Sequence, residues 1–133
     1  MFKILLALPL KTLLRIDAAT CLAMGLLLLA ASGPLATLTA LPPALLFWAG
    51  ALLLPIAAFM GATALAAEPH RLAVGFIVIG NIFWSLASIA LPVAGLIAPN
   101  GLGLAFLVAQ AAAVLLLAEL ELSAMRRGRA ALT

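Results

Sequence analysis

The sequence has few charged residues for its length. Of its 133 residues, 8% are Asp, Glu, Lys or Arg and 68% are hydrophobic, whereas soluble domains carry about 25% charged and about 45–50% apolar residues. A chain of this composition has too few polar side chains to cover its own surface, so a water-soluble fold is excluded. The length allows one small domain.

Cysteine, histidine and tyrosine are almost absent. Cys21 is the only cysteine, His70 is the only histidine, and there is no tyrosine. A single cysteine excludes an intramolecular disulfide, a CxxC redox pair and a cysteine-based zinc site. His70 lies in a charged stretch, which argues against a haem ligand inside a membrane helix. We therefore expect no cofactor and no metal, and, because no nucleophile–base pair is visible, no enzymatic activity.

Two long stretches contain no charged side chain, from Ala18 to Ala67 and from Leu72 to Ala118. Since a helix needs about 20 residues to cross a bilayer, each stretch has room for two spans. Turn-forming Gly, Pro and Asn residues divide each stretch near its middle. The sequence predicts an all-α polytopic membrane protein, with four transmembrane helices in two hairpins, as a single membrane domain. The predicted spans are 17–36, 44–67, 72–94 and 101–120, with an interfacial leader over 1–16 and a basic cytoplasmic tail over 121–133.

All seven Lys and Arg residues lie outside these apolar stretches. With four spans, both termini and the loop around Arg71 lie on the same side of the membrane, and that side holds every basic residue. The positive-inside rule makes this side the cytoplasm. We expect a multi-pass protein of the bacterial inner membrane with both termini cytoplasmic, in contact with the lipid bilayer and without a nucleic-acid partner.

The first sixteen residues leave several interpretations open. Lys3, Lys11 and Arg15 alternate with leucines around Pro9, a pattern that suits a segment lying at the lipid headgroups and equally a disordered leader. A charged start followed by an apolar stretch is also typical of a cleaved signal peptide. Cleavage would remove the first span and leave three.

The third predicted span carries a polar stripe. Positions i, i+3, i+4 and i+7 share one face of a helix, and here they hold Asn81, Trp84, Ser85 and Ser88. Gln110 in the fourth span reaches nearly the same depth, which allows a hydrogen bond to Asn81. This polar face either lines a cavity for a small molecule or holds helices together.

The four acidic residues fall at or beyond the ends of the predicted spans. Proton relays usually place a carboxyl group well inside the bundle, so we expect these acids to be interfacial anchors that pair with arginines. The charges assigned to the cytoplasmic interface are Arg15, Asp17, Arg71 and Glu119.

Small residues recur at every fourth position in two spans. This spacing lets helix backbones approach closely and predicts packing seams, with a partner in the same chain or in another. The seam residues are Ala57 and Gly61 in the second span and Gly101, Ala105, Ala109 and Ala113 in the fourth.

Two short motifs carry a family resemblance. The Leu14-Arg15-Ile16-Asp17 entry to the first span and the Asn81-x-x-Trp84 pair in the third resemble those of uncharacterised small four-helix bacterial integral membrane proteins. The resemblance covers most of the chain and implies the four-helix fold without an activity. Length and helix count also resemble the small multidrug resistance exporters. That family uses a glutamate in its first helix, however, and residues 18–29 contain no acid.

Two classes of function remain. We expect a non-catalytic integral membrane protein that acts by packing, as a self-associating bundle (a homo-oligomer) or as an accessory subunit of a larger inner-membrane assembly. The alternative is a small-molecule transporter or membrane binding protein that uses the polar face formed by Asn81, Trp84, Ser85, Ser88 and Gln110.

Overall fold

The computed structural model describes residues 2–132, and over that range the chain is all-helical. The helices are α1 (Phe2–Leu6), α2 (Leu10–Thr39), α3 (Pro43–Leu65), α4 (Arg71–Val93) and α5 (Gly101–Leu132). By length and composition, α2, α3, α4 and α5 are each able to cross a membrane. The prediction of an all-α chain with four helices long and apolar enough to span a membrane is thereby confirmed.

The first and last spanning helices are longer than the sequence predicts. Residues 10–16, assigned to the leader, form the first turns of α2, and Leu13 and Leu14 there are buried. At the other end, α5 continues through most of the predicted tail, so Glu121 belongs to a helix. Residues 1 and 133 of the predicted leader and tail lie outside the described residues.

A kink interrupts α2 in its second half. Pro34 lies inside the helix, where a proline removes one backbone hydrogen bond and crowds the preceding turn. Three residues earlier, Ala31 has φ −125° and ψ 25°, which are not helical values. The sequence predicts a break in this region, and the chain bends here and continues as a helix to Thr39.

Asn100 joins the end of α2 to the start of α5. Its Oδ1 accepts a hydrogen bond from the Gly103 amide at 2.9 Å, which satisfies one of the free N–H groups at a helix start. Its Nδ2 donates to the Leu38 carbonyl at 2.8 Å. One side chain thus caps α5 and binds the last turn of α2.

The four long helices do not pack equally against one another. α2 lies mainly along α3, α4 lies along α5, and α2 also packs against α5, whereas α3 and α4 barely touch. Buried side chains from all four helices form the central core, including Leu14, Met60, Val74 and Ala118. The weak contact between α3 and α4 leaves space for a cleft.

The closest approach of α2 and α3 occurs at two glycines. A Cβ atom at Gly50 would lie 2.8 Å from the carbonyl oxygen of Gly25 and 2.8 Å from Cβ of Leu28. Glycine is therefore required at this crossing. Of the two residues predicted to form a seam on α3, Ala57 is buried, but a Cβ at Gly61 would meet nothing within 4 Å.

The predicted seam on α5 faces outward in this chain. Gly101, Ala105, Ala109 and Ala113 are all exposed. The close contact of α5 is made instead by Gly103, where an added Cβ would collide with the Thr39 carbonyl oxygen. The regular spacing of small residues in the sequence did not show which of them contact a helix of the same chain.

The crossing at Gly50 can be tested with a matched pair of alanine variants. Gly50→Ala is expected to lower the free energy of unfolding by about 1–3 kcal/mol, because the added methyl group must displace backbone atoms of α2. Gly61→Ala on the same helix is expected to leave stability unchanged or slightly higher, since alanine favours helix formation. Reversible unfolding in bicelles measures both. Equal losses in the two variants would contradict the packing described here.

Candidate functional site

Three polar side chains from three different helices meet inside the bundle. Asp17 comes from α2, Asn81 from α4 and Glu121 from α5, and their exposed fractions are 1%, 6% and 0%. Acidic side chains are almost never this deeply buried unless they are paired. We call these three residues the carboxyl–amide cluster.

Asn81 holds the two acids together through a single nitrogen atom. Its Nδ2 donates to Oδ2 of Asp17 at 2.7 Å and to Oε1 of Glu121 at 3.1 Å. Because both oxygens contact the same nitrogen, they lie within about 6 Å of each other, close enough for two negative charges to repel strongly. Both hydrogens of this amide group are therefore used.

The remaining oxygens of the two acids have different surroundings. Oδ1 of Asp17 accepts a weak hydrogen bond from Sγ of Cys21 at 3.7 Å. Oε2 of Glu121 is buried and has no hydrogen-bond partner among the described residues. A buried charged oxygen without a donor is costly, so the cluster does not satisfy Glu121 as a carboxylate.

Helix periodicity explains which acids face inward. On α5, Ala118, Glu121 and Ala124 are buried at spacings of three residues, and they lie on one face of the helix. Glu119 is two residues from Glu121, on nearly the opposite face, and it is exposed. Sequence reasoning missed Glu121 because it ended this helix at residue 120.

The interfacial role assigned to Asp17 is corrected by the structure. Arg15, Arg71 and Glu119 are exposed, which suits charges at the ends of spans. Asp17 is buried because α2 begins at Leu10, which places this carboxyl about 10 Å along the helix at 1.5 Å per residue. It contacts Asn81 rather than an arginine of its own helix.

The predicted polar stripe on α4 does face the interior. Asn81, Ser85 and Ser88 are buried and Trp84 is half-buried. Gln110, however, pairs with Trp84, whose Nε1 donates to Oε1 of Gln110 at 2.9 Å. The expected hydrogen bond between Asn81 and Gln110 is not formed, because Asn81 is engaged by the acids.

The serines of the stripe act within and between helices. Oγ of Ser85 lies 2.9 Å from the carbonyl oxygen of Ala111 on α5 and 3.0 Å from that of Asn81 on its own helix. Oγ of Ser88 donates to the Trp84 carbonyl at 2.7 Å. Ser85 therefore links α4 to α5, whereas Ser88 makes its hydrogen bond within α4.

A cleft of about 450 Å³ adjoins the carboxyl–amide cluster. All four long helices contribute to its walls, which are mostly apolar and include Trp84 and Phe106. Asp17 is the only charged side chain among the described residues that line it. Trp48, at the edge, is 68% exposed, so the cleft opens to the surroundings of the bundle.

The acids do not form a recognisable metal site. Within residues 3–128, whose side chains the structure describes, no group of three or more His, Cys, Asp or Glu side chains is arranged to hold a metal ion. The arrangement instead provides two acids, one amide donor and an adjoining apolar cavity.

The chain matches no protein-family model, no curated protein and no solved structure at a significant level. The site is therefore interpreted from its own geometry.

The role of Asn81 as the shared donor can be tested by removing its amide. Asn81→Leu is expected to lower the free energy of unfolding by about 1–3 kcal/mol for each acceptor left without a partner. Replacing Asp17, Asn81 and Glu121 together by Leu is expected to recover most of that loss, because no unsatisfied polar group then remains. Unfolding in bicelles provides both values. A triple variant less stable than Asn81→Leu would contradict this account.

Proposed function

We propose that this chain is a non-catalytic integral membrane protein that binds a small amphiphilic molecule in the cleft between its helices. The observation that carries the proposal is the position of Asp17, a buried carboxyl group on the wall of a mostly apolar cavity. Such a wall offers one polar attachment point to a molecule whose remaining surface is apolar. Ligand sites commonly combine an apolar lining with a few placed polar groups.

Buried acids favour binding over packing alone. The expectation that the protein acts only by packing rested on a core without titratable groups, but Asp17 and Glu121 lie in the core. Burying a charge costs several kcal/mol, and apolar residues of similar volume hold helices together as well or better. Ionisable residues within membrane spans are typical of ligand, ion or proton pathways.

The dimensions of the cleft fit a small molecule. Its volume of about 450 Å³ lies within the range of about 300–1,000 Å³ that is usual for ligand pockets. Trp84 and Phe106 provide aromatic surface beside Asp17, and Gln110 holds the Trp84 ring through its hydrogen bond. Trp84, Ser88 and Gln110 of the polar face inferred from the sequence thus line the cleft together with Asp17.

A second proposal is self-association along α5. Gly101, Ala105 and Ala109 form a stripe of small residues that is exposed in this chain, and such stripes allow close packing of membrane helices. A second copy, or a subunit of a larger inner-membrane assembly, would cover them. Chemical cross-linking in native membranes tests this proposal. A chain that remains monomeric there would rule out the homo-oligomer.

We further propose that the four spans form two hairpins in a bacterial inner membrane, with both termini in the cytoplasm. One observation supports a common side for the basic segments. A second cavity is lined by residues from three segments, 7–10, 68–71 and 124–128. In addition, Nη2 of Arg127 donates to the Leu8 carbonyl at 3.1 Å. The two ends of the chain and the middle loop therefore meet at one end of the bundle.

Cysteine labelling in intact cells tests this orientation. A Thr37→Cys variant is expected to react with a membrane-impermeant thiol reagent from outside, and a Glu68→Cys variant only after the cells are opened, because the positive-inside rule places the loop at residue 68 in the cytoplasm. The native Cys21 is buried, so the parent protein controls for background. Labelling of both positions from outside would reject the topology.

Occupation of the cleft is tested by filling it. Trp48 and Trp84 are the only tryptophans of the chain, and both line the cleft, so intrinsic fluorescence reports on a bound molecule. Ala87 also lines the cleft, whereas Ala90 on the same helix is exposed. Ala87→Phe is expected to weaken binding of the probe tetraphenylphosphonium at least tenfold, and Ala90→Phe to leave it unchanged.

The corresponding negative results are clear. If parent protein in nanodiscs gives no saturable fluorescence change with tetraphenylphosphonium or with its neutral analogue triphenylphosphine oxide, the binding proposal fails. If Ala87→Phe and Ala90→Phe weaken binding equally, the bound probe does not occupy this cleft.

A further inference from the structure

The carboxyl–amide cluster lies between two cavities of different character. Asp17 lines the apolar cleft. Ala124, one turn beyond Glu121 on the same face of α5, lines the second cavity, which has a volume of about 850 Å³ and whose walls include Glu68, His70 and Arg127. Asn81 connects the two acids by its hydrogen bonds. The polar contacts therefore run from the cleft through Asn81 to Glu121, and Ala124 lies between Glu121 and the second cavity.

We propose that Asp17 and Glu121 together hold one exchangeable proton, and that a lipophilic cation entering the cleft displaces it. This inference rests on the proposed function, since it requires that the cleft bind a ligand. It adds the chemical class of that ligand and couples its binding to release of a proton.

The unpartnered oxygen of Glu121 points to the proton. Oε2 of Glu121 is buried and has no donor within the part of the chain that the structure describes, and Glu121 is completely inaccessible to solvent. Asn81 has no further N–H to offer, since both hydrogens are directed at the two acids. Carrying a proton makes Glu121 neutral and removes its repulsion with Asp17. With one proton between them the two acids together carry a charge of −1, and Asp17 has donors in Asn81 and Cys21.

The donor arrangement favours a proton over a metal ion. Ca²⁺ and Mg²⁺ require several oxygen ligands directed at one point. Here the amide group presents its N–H side to both acids, so a positively polarised group already occupies the position between them. A proton needs only a single oxygen.

Among the described residues, few other titratable or charged groups lie near the carboxyl–amide cluster. Cys21 on α2 contacts Asp17, and the buried residues that α3 and α4 contribute to the core are uncharged. Lys11 on α2 is half-buried, whereas Lys3 of α1 and Arg15 are exposed. The ionisable side chains that the hydrogen bonds of the cluster bring together, among the described residues, are therefore Asp17, Glu121 and Cys21.

The exchange conserves charge inside the bundle. Before binding, the two acids carry one proton and a net charge of −1. When the cation enters, the O–H bond of Glu121 breaks, its electron pair stays on the carboxyl oxygen, and the proton is released to water outside the bundle. The two carboxylates and the cation again sum to −1. Exchanging one positive charge for another avoids the cost of adding net charge to a medium of low dielectric constant.

The cleft wall favours a cation over an anion or a neutral molecule. The pair of acids that shares one proton carries a net charge of −1, and Trp84 and Phe106 line the cleft together with Asp17. Aromatic faces attract cations that have lost part of their hydration shell. An apolar cation with delocalised charge satisfies both the acid and the apolar wall.

The test compares two probes of similar shape on the full chain in nanodiscs. Calorimetric titration of tetraphenylphosphonium in buffers of different ionisation enthalpy gives the number of protons released for each cation bound. We expect about one proton near neutral pH, with affinity rising up to about tenfold for each unit of pH while the proton is held. Triphenylphosphine oxide is expected to bind without releasing a proton and with an affinity independent of pH.

Three variants locate the proton. Glu121→Gln is expected to abolish proton release, and Asp17→Asn is expected to weaken tetraphenylphosphonium binding because it removes the acid from the cleft wall. Glu119→Gln, two residues from Glu121 and exposed, is expected to behave as the parent. Infrared spectra of the parent are expected to show the carbonyl band of a protonated carboxyl group, which disappears in Glu121→Gln and persists in Glu119→Gln. Because the calorimetric result on the parent needs no variant, the proposal is testable even if a variant fails to fold.

Three results would overturn the inference. If both probes bind without proton release, the cleft binds ligands but the exchange does not occur, so the proposed function survives alone. If proton release persists in Glu121→Gln, the proton is held elsewhere. If neither probe binds, the proposed function falls together with this inference.

Discussion

One amide group organises the polar interior of this bundle. Water is scarce around these helices, so every polar group inside them must find its partner in the protein. The two N–H hydrogens of Asn81 serve two carboxyl groups, from helices that are far apart in sequence. This amide therefore fixes where α2, α4 and α5 lie relative to one another at that level, and it leaves one oxygen of Glu121 without a donor.

The unequal packing of the four long helices shapes the cleft. α2 and α3 approach closely because Gly25 and Gly50 carry no side chain, and α4 is joined to α5 by polar contacts such as that of Ser85. α3 and α4 have no comparable contact. The two tightly packed pairs consequently diverge on one side, and the space between them is bounded by apolar side chains and by Asp17. The proposed ligand site and the proposed proton site thus share one carboxyl group.

The sequence alone determined the number and the approximate positions of the spanning helices. A bilayer sets the length of a span, and uninterrupted apolar stretches of that length are visible without any knowledge of packing. It also predicted that Asn81, Ser85 and Ser88 share an inward face, because helical periodicity is local. The sequence predicted the ends of the helices less accurately than their number. The leucines before Asp17 extend α2 to Leu10 by packing in the core, and this cannot be read from hydropathy.

Only the tertiary structure decided which polar groups meet. The membrane-length parts of α2 and α5 are apolar on all faces, so no amphipathic pattern indicates which side of either helix is turned inward. Asp17 and Glu121 therefore resembled interfacial charges at the ends of spans, and the partner of Asn81 was sought in Gln110. Rotation of each helix about its axis brings the acids to one amide and Gln110 to Trp84. That rotation follows from contacts between residues far apart in the chain, whereas the membrane spans follow from composition alone.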